Sequence, residues 1–111
     1  MQKTVTTLAF SLALTFSSAT VFATDTAELE IGKALFTGGA QPIACAVCHT
    51  LDDAGTTGTI GPNLDELQPD ADRIRKTMME GMGAMPSFAD GLDEAQREAV
   101  IKYVLHATGQ D

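Results

Sequence analysis

The chain is poor in several kinds of residue, and each shortage narrows what the protein can be. Only 7 of its 111 residues are lysine or arginine, against 15 aspartates and glutamates, so the formal net charge is −8. Such an acidic chain does not suit nucleic acid, which requires a basic face. No alternation of apolar and polar residues is long enough to predict a strand of useful length, and no internal repeat is visible. The absences therefore argue against nucleic-acid binding, sheet folds and repeat folds.

Long hydrophobic runs are also missing. The most apolar segment, residues 5–16, contains Thr and Ser and is too short to span a membrane, which takes about 20 apolar residues. A positive start precedes it, and small or medium residues at 21–23 suit a signal peptidase. The pattern predicts a secretory signal peptide at residues 1–23, with an uncleaved anchor as the alternative. Cleavage would leave one domain, residues 24–111, whose formal charge is −9 because one lysine and no acidic residue is removed.

The only two cysteines belong to one motif, Cys45-Ala46-Val47-Cys48-His49. Two thiols about one helical turn apart can each form a thioether with a vinyl group of haem, and the adjacent histidine can ligate the iron. The motif therefore predicts haem c attached through Cys45 and Cys48, with His49 as an iron ligand. Two alternatives stay open. The pair can be a dithiol redox centre, or half of a zinc site, although zinc requires four ligands and the chain adds only His49 and the distant His106.

Gly- and Pro-rich loops separate the predicted helices. Three helices are predicted. Asp93 and Gln96 have the spacing of a capping box at the start of the third helix, and glycine follows the end of each helix. Residues 52–69 are predicted to form an irregular loop. The capping residues and the apolar periodicity predict helices from residue 25 or 26 to 38, from 70 to 81 and from 93 to 107.

Some polar residues are predicted to lie on the surface. The pairs Asp52-Asp53 and Asp65-Glu66 are interpreted as solvated loop charges, because no convergent partners suggest a metal role. His106 falls away from the apolar face of the last helix, near its C-terminus, where a cation is mildly favoured. The alternative for His106 is a second iron ligand.

The chain resembles class I cytochromes c over residues 27–107. The fold that this implies is all-α: the cytochrome c fold, with three main helices and loops wrapped around one covalently bound haem c. Five segments carry the resemblance: Gly32-Lys33-Ala34-Leu35-Phe36, Cys45 to His49, Gly61-Pro62-Asn63-Leu64, Gly83-Ala84-Met85-Pro86-Ser87-Phe88, and Tyr103-Val104.

The resemblance also implies roles for individual residues of the haem site. Met85 is implied to be the distal iron ligand, across the haem from His49. The carbonyl of Pro62 is implied to accept the ring N–H of His49, and Leu64 to pack on the haem. Met82 is the alternative distal ligand, whereas the helical pair Met78-Met79 reads as apolar packing.

A second set of implied contacts concerns the helices. Gly32 and Phe36 of the first helix are implied to cross the last helix near Tyr103. Gly32 would let the two helix backbones approach closely, because it lacks a side chain.

The expected function follows from this site. We expect a periplasmic carrier of single electrons whose haem iron has His/Met axial ligation, and not an enzyme, because filled axial positions leave no place for substrate. The expected partners are redox proteins with a basic docking patch, with no nucleic acid and no stable membrane insertion after cleavage. One alternative is the dedicated cytochrome subunit of a periplasmic dehydrogenase, such as a sulfite dehydrogenase. The other is a haem sensor or peroxidase-like protein, in which methionine dissociates.

Overall fold

The computed structural model describes residues 20–110, and their side chains from residue 25 onward. The predicted signal peptide therefore lies almost entirely outside the described residues. Within them no helix is long and apolar enough to cross a membrane. The helices are α1 (Thr20–Ala34), α2 (Leu64–Leu67), α3 (Ala71–Glu80) and α4 (Glu94–Ala107), and the strands are β1 (Thr50–Leu51) and β2 (Thr56–Thr57).

The two C-terminal main helices begin and end where the sequence predicts. The side chain of Asp70 accepts a hydrogen bond from the backbone N of Arg73, 2.8 Å away, at the start of α3. Asp93 and Gln96 form the predicted capping box at the start of α4. Both caps satisfy backbone N–H groups that a helix cannot pair internally. Gly81 ends α3 with a φ of 72°, in the region that favours glycine.

The other predicted boundaries are wrong in part. Helix α1 already includes Thr20, the first described residue, five residues before the predicted cap, and it continues into a π-helical turn at Leu35–Gly39. No glycine or proline interrupts residues 20–31, so nothing in the sequence stops the helix before Asp25. The predicted loop at residues 52–69 contains the short helix α2, because the side chain of Asn63 accepts hydrogen bonds from the backbone N of Asp65 and Glu66.

A short antiparallel pair, β1 with β2, interrupts the otherwise helical fold. It was not predicted, since two residues per strand leave no readable alternation. Thr50 faces Thr57 and Leu51 faces Thr56 in this pair. The hydroxyl of Thr56 also donates to the carbonyl O of His49 at 2.9 Å, so the pair fixes the backbone that follows the cysteine motif.

The predicted crossing of α1 and α4 is confirmed. A Cβ atom at Gly32 would lie 2.2 Å from the carbonyl O of Ala99 and 2.6 Å from the Cβ of Tyr103, so only glycine permits this approach. One turn further, the rings of Phe36 and Tyr103 pack edge to face with centroids 5.9 Å apart. Both rings are almost fully buried. This contact joins the crossing to the centre of the core.

Asp53 is not the simple solvated charge that the sequence predicts. Its carboxylate accepts a hydrogen bond from the hydroxyl of Tyr103 at 2.6 Å and pairs with Lys33 at 3.2 Å. The hydrogen bond from Tyr103 and the positive charge of Lys33 together lower the pKa of Asp53. Asp65 likewise accepts from the backbone N of Asp52 at 2.8 Å. One carboxylate of each pair therefore ties the loop down: Asp53 bonds to α1 and α4, and Asp65 of α2 bonds to the loop backbone, while Asp52 and Glu66 are exposed as predicted.

Ion pairs also join the helices. Arg75 on α3 makes a two-pronged contact with Glu98 on α4, with nitrogen–oxygen distances of 2.7 and 3.0 Å. Lys102 on α4 reaches Glu28 on α1 at 2.5 Å. These contacts lie at the surface, where each ion pair contributes little to stability; they link α1 and α3 to α4.

Candidate haem site

An open apolar cleft lies between the helices. Helices α2, α3 and α4 contribute to its lining, together with Phe36 of the π-helical turn after α1 and residues on both sides of the cysteine motif. Among the described residues that line it, only Arg73 carries a full charge. The apolar lining includes Phe36, Ile43, Ile60, Leu64, Leu67, Ile74, Met78, Met82, Pro86, Phe88, Val100 and Val104.

The cysteine motif forms a tight turn at one side of the cleft. Residues Cys45–Val47 make a 3₁₀ turn, in which the backbone N of Cys48 and of His49 both donate to the carbonyl O of Cys45. This turn places both thiols and the imidazole on the cleft wall, while Val47 points to solvent and is 51 % exposed. The sequence spacing is therefore realised as a single turn of chain that presents three side chains to one space.

The Cys45 thiol lacks the lowered pKa that is typical of a redox-active cysteine. The two cysteines are not joined by a disulfide. Burial is the main cause that raises the pKa of the Cys45 thiol to about 11. Redox-active cysteines instead have a lowered pKa, because the thiolate is the reactive form. The burial of Cys45 therefore argues against it as the reactive thiol of a dithiol centre.

The His49 imidazole is held in one orientation. Its Nδ1 lies 2.8 Å from the carbonyl O of Pro62, to which an Nδ1–H donates. Because Nδ1 is taken, Nε2 is the nitrogen left to bind a metal in the cleft. Gly61 lies flat against the ring, and a Cβ atom there would come within 2.5 Å of His49 Cε1. Two residues just before Leu64 thus position the histidine. Pro62 accepts its Nδ1–H, and Gly61 leaves space for the ring because it has no side chain.

The two candidate methionines lie at opposite ends of one tight turn. The backbone N and O of Met82 pair with the O and N of Met85, at 3.0 and 2.9 Å, and Gly83 takes a φ of 55° between them. Both side chains line the cleft, but their exposure differs. Met85 is half-buried and packs against the core, whereas Met82 is 67 % exposed. Burial therefore favours Met85 over Met82 as a residue of the site.

Of the remaining candidate site residues, Leu64 lines the cleft and His106 does not. Leu64, 9 % exposed, lies on the cleft wall beside Pro62. His106 is exposed and does not line the cleft. Within residues 20–110, no group of three or more His, Cys, Asp or Glu side chains could hold a metal ion, and a zinc site needs four ligands.

Met78 and Arg73 are among the lining residues to which sequence reasoning gave no role in the site. Met78 was expected to be packing only, and it is buried at 3 % exposure, but it also forms part of the cleft wall. Arg73 lies at the rim, in the first turns of α3, and nothing in the sequence distinguished it from its neighbours Arg75 and Lys76. As the one full charge on the wall, its guanidinium suits an anionic substituent such as a haem propionate.

These residues fit a covalently attached haem. The cleft offers an apolar wall for the macrocycle, two thiols on one turn for the vinyl groups, and an imidazole whose free nitrogen faces the same space. The glycine at 61 leaves the room that an oriented imidazole needs. A helical fold built around such a site defines a c-type cytochrome.

Comparison with known proteins gives the family. The family described as cytochrome c oxidase, cbb3-type, subunit III matches residues 27–104, and the chain belongs to it. It is a small class I c-type cytochrome with the cytochrome c fold, a covalently bound haem c and a place in electron transport. The predicted family, fold class and cofactor are thereby confirmed.

Individual relatives cover most of the chain. It is similar to cytochrome c-551 of Halorhodospira halochloris, with 29% identity over 67% of this chain and 94% of that protein. It is similar to cytochrome c6 of Bryopsis maxima, with 32% identity over 70% of this chain and 90% of that protein. The crystal structure of the c-type cytochrome SorU from Sinorhizobium meliloti superposes with a TM-score of 0.70 at 41% identity, covering 77% of this chain and 95% of that one.

Proposed function

We propose that this cytochrome is a periplasmic carrier of single electrons, with His49 and Met85 as the axial ligands of its haem iron. The observation that carries the proposal is the orientation of His49. Its Nδ1 donates to Pro62 at 2.8 Å, so Nε2 is directed to a cleft that the half-buried Met85 also lines. One rigid nitrogen ligand and one thioether thus meet in the same apolar space.

The proposed attachment uses the thiols of the one-turn motif. Cys45 and Cys48 each form a thioether with a vinyl group, and the short turn keeps His49 next to the second bond. Leu64 and the rest of the apolar wall exclude water from the macrocycle. A mature domain of this size is marginal with a protein core alone, because small domains bury a modest fraction of their surface. The bound haem therefore serves as the centre of the core.

The axial ligands set the chemistry that the haem supplies, which is the reversible gain and loss of one electron at the iron. The thioether of Met85 is a soft ligand, and a His/Met pair raises the reduction potential relative to harder ligation. The carbonyl of Pro62 fixes the ring of His49 and tunes its basicity through the shared proton. Pro86 restricts the backbone of Met85 to an extended form, which limits where the sulfur can point.

The charges suit a basic docking patch on the redox partners. Several of the few basic side chains already pair within the molecule: Lys33 with Asp53, and Arg75 with Glu98. Each internal pair uses one charge of either sign, so the net acidic excess is unchanged and would steer a basic partner surface toward this protein. The proposed location is outside the cytoplasmic membrane, and it rests on the signal peptide predicted for residues 1–23, with cleavage after Ala23. The mature domain would then be residues 24–111.

Carbon monoxide separates a carrier from the sensor or peroxidase-like alternative. With both axial positions filled by protein, the ferrous protein is expected to show no spectral change under carbon monoxide at neutral pH. Stoichiometric binding would contradict the proposal, because it requires a vacant or easily vacated position.

The same test does not separate a free carrier from the dedicated subunit of a dehydrogenase. Co-purification of the native protein from its host makes that distinction, since only the subunit would bring an enzyme with it.

A further inference from the structure

The segment that carries Met85 is fastened to the end of α3. Three consecutive carbonyls in the last turn of that helix have partners in the segment that follows it. The carbonyl O of Thr77 accepts from the backbone N of Gly81 at 2.8 Å, and that of Met78 from the backbone N of Phe88 at 2.7 Å. The third, that of Met79, accepts from the hydroxyl of Ser87 at 2.6 Å. A helix end leaves such carbonyls without internal partners.

Ser87 is the one side chain in this set, and it is bonded on both sides. Its Oγ donates to the carbonyl O of Met79 and accepts from the backbone N of Ala89 at 3.2 Å. It lies two residues after Met85, on the far side of Pro86. The hydroxyl therefore closes the loop at the point where the chain leaves the methionine.

The other end of the loop is equally constrained. Gly81, with a φ of 72°, packs against the chain that returns from the turn. A Cβ atom at Gly81 would lie 2.8 Å from the carbonyl O of Met85 and 3.0 Å from the backbone N of Ser87. The Met82–Met85 turn thus stands on a narrow base made by Gly81 and Ser87. Since Ser87 ties the returning chain to α3 right after Met85 and Pro86, loosening this base would help the sulfur of Met85 to leave the cleft.

We infer that Ser87 is a positioning residue for the distal ligand: its hydroxyl, bound to the end of α3, holds the loop in which the Met85 sulfur faces the cleft. The inference rests on the proposed ligation by Met85. The inference adds one point to that proposal. How tightly the iron holds the Met85 sulfur depends partly on a hydrogen bond outside the haem site. Removing the hydroxyl should favour the state in which Met85 has left the iron.

The test is a titration of the ferric holoprotein with imidazole. The loss of the weak near-infrared band of methionine-ligated ferric haem is the signal that monitors binding. Imidazole binds only when the sulfur leaves, so its apparent Kd reports the opening of the loop. Ser87→Ala is expected to lower that Kd about threefold to tenfold, the effect of removing one ordinary hydrogen bond. Ser87→Thr, which keeps a hydroxyl, should restore a value near that of the wild type.

Thr37→Ala is the matched control. The hydroxyl of Thr37 donates to the carbonyl O of Lys33 at 2.9 Å, after the end of α1, and Thr37 is exposed like Ser87 but lies outside the segment that carries Met85. Its removal should leave the Kd unchanged. An unchanged Kd in Ser87→Ala, or an equal shift in Thr37→Ala, would overturn the inference while leaving the ligation intact. A wild-type protein without the near-infrared band would instead overturn the proposed Met85 ligation, and the role of Ser87 with it.

Discussion

Met85→Ala is expected to abolish the near-infrared band of the ferric protein, to lower the reduction potential, and to let carbon monoxide bind the ferrous iron. The thioether favours the ferrous state, so its loss removes that stabilisation. It also vacates the axial position, which changes carbon monoxide binding from undetectable to stoichiometric. Absorption spectra with and without carbon monoxide, and a redox titration of each variant, measure all three effects.

Met82→Ala is the control for this result. Met82 lies in the same turn and pairs with Met85 through the backbone, but its side chain is mostly in solvent. Its truncation should keep the band, leave carbon monoxide unbound, and change the free energy of unfolding by no more than about 0.5 kcal/mol, as for most surface substitutions. If the two variants exchange these properties, Met82 is the distal ligand. If neither alters the spectrum, a group other than these two methionines is on the iron.

Replacing both cysteines should release the haem. In the wild-type protein the haem is expected to stay with the chain through denaturation and acid–acetone extraction, because two thioethers hold it. Cys45→Ser/Cys48→Ser should lose all haem to the solvent, and Cys48→Ser alone should keep one thioether at best. A core of this size supplies only about 3–5 kcal/mol by itself, so the double variant should also be largely unfolded. Extraction followed by intact mass measurement, and circular dichroism, report the two effects.

Val47→Ser tests whether the effect is specific to the thiols. Val47 lies between the cysteines and is exposed, so a serine there alters the motif without touching the cleft. This variant should retain its haem through extraction and remain folded. Haem that extracts freely from the wild type would contradict the reading of the motif. Haem loss from Val47→Ser equal to that from the double variant would show that the turn, and not the thiols, holds the group.

The parts of the fold that the sequence predicts well are those with local causes. Helices α3 and α4 carry their own start and stop residues, so Asp70, Gly81 and the Asp93–Gln96 box define them without reference to the rest of the chain. Helix α2 had a local signal too. Asn63 is a favoured capping residue before two acidic residues, but a single helical turn in a loop rich in glycine gives no periodicity to read.

Long-range contacts could not be predicted from composition or periodicity. The bond between Asp53 and Tyr103 joins residues 50 apart, and an acidic pair in a loop reads as solvated until the partner is known. Arg73 lines the cleft, whereas Arg75 pairs with Glu98 on α4. The sequence does not show this difference, because both are arginines of the same helix. The contact of Gly32 with Tyr103 was predicted only through the resemblance. A glycine within a helix does not by itself show which element packs against it.

The haem site combines both kinds of information. The Cys45 to His49 motif specifies its own chemistry, because the spacing of the thiols fits the vinyl groups. The roles of Pro62, Leu64 and Met85 depend on which distant segments meet that motif. The structure brings all of them to one cleft with the motif.

The central claim is that this protein cycles one electron at a covalently held haem. A spectroelectrochemical titration of the wild-type protein tests it most directly, because absorbance identifies the group and the slope counts the electrons. The account predicts one reversible transition of the haem spectrum with a slope of about 59 mV per tenfold change in the oxidised-to-reduced ratio. A slope of about 30 mV, as for a two-electron dithiol, or a titration without any haem absorbance, would contradict it.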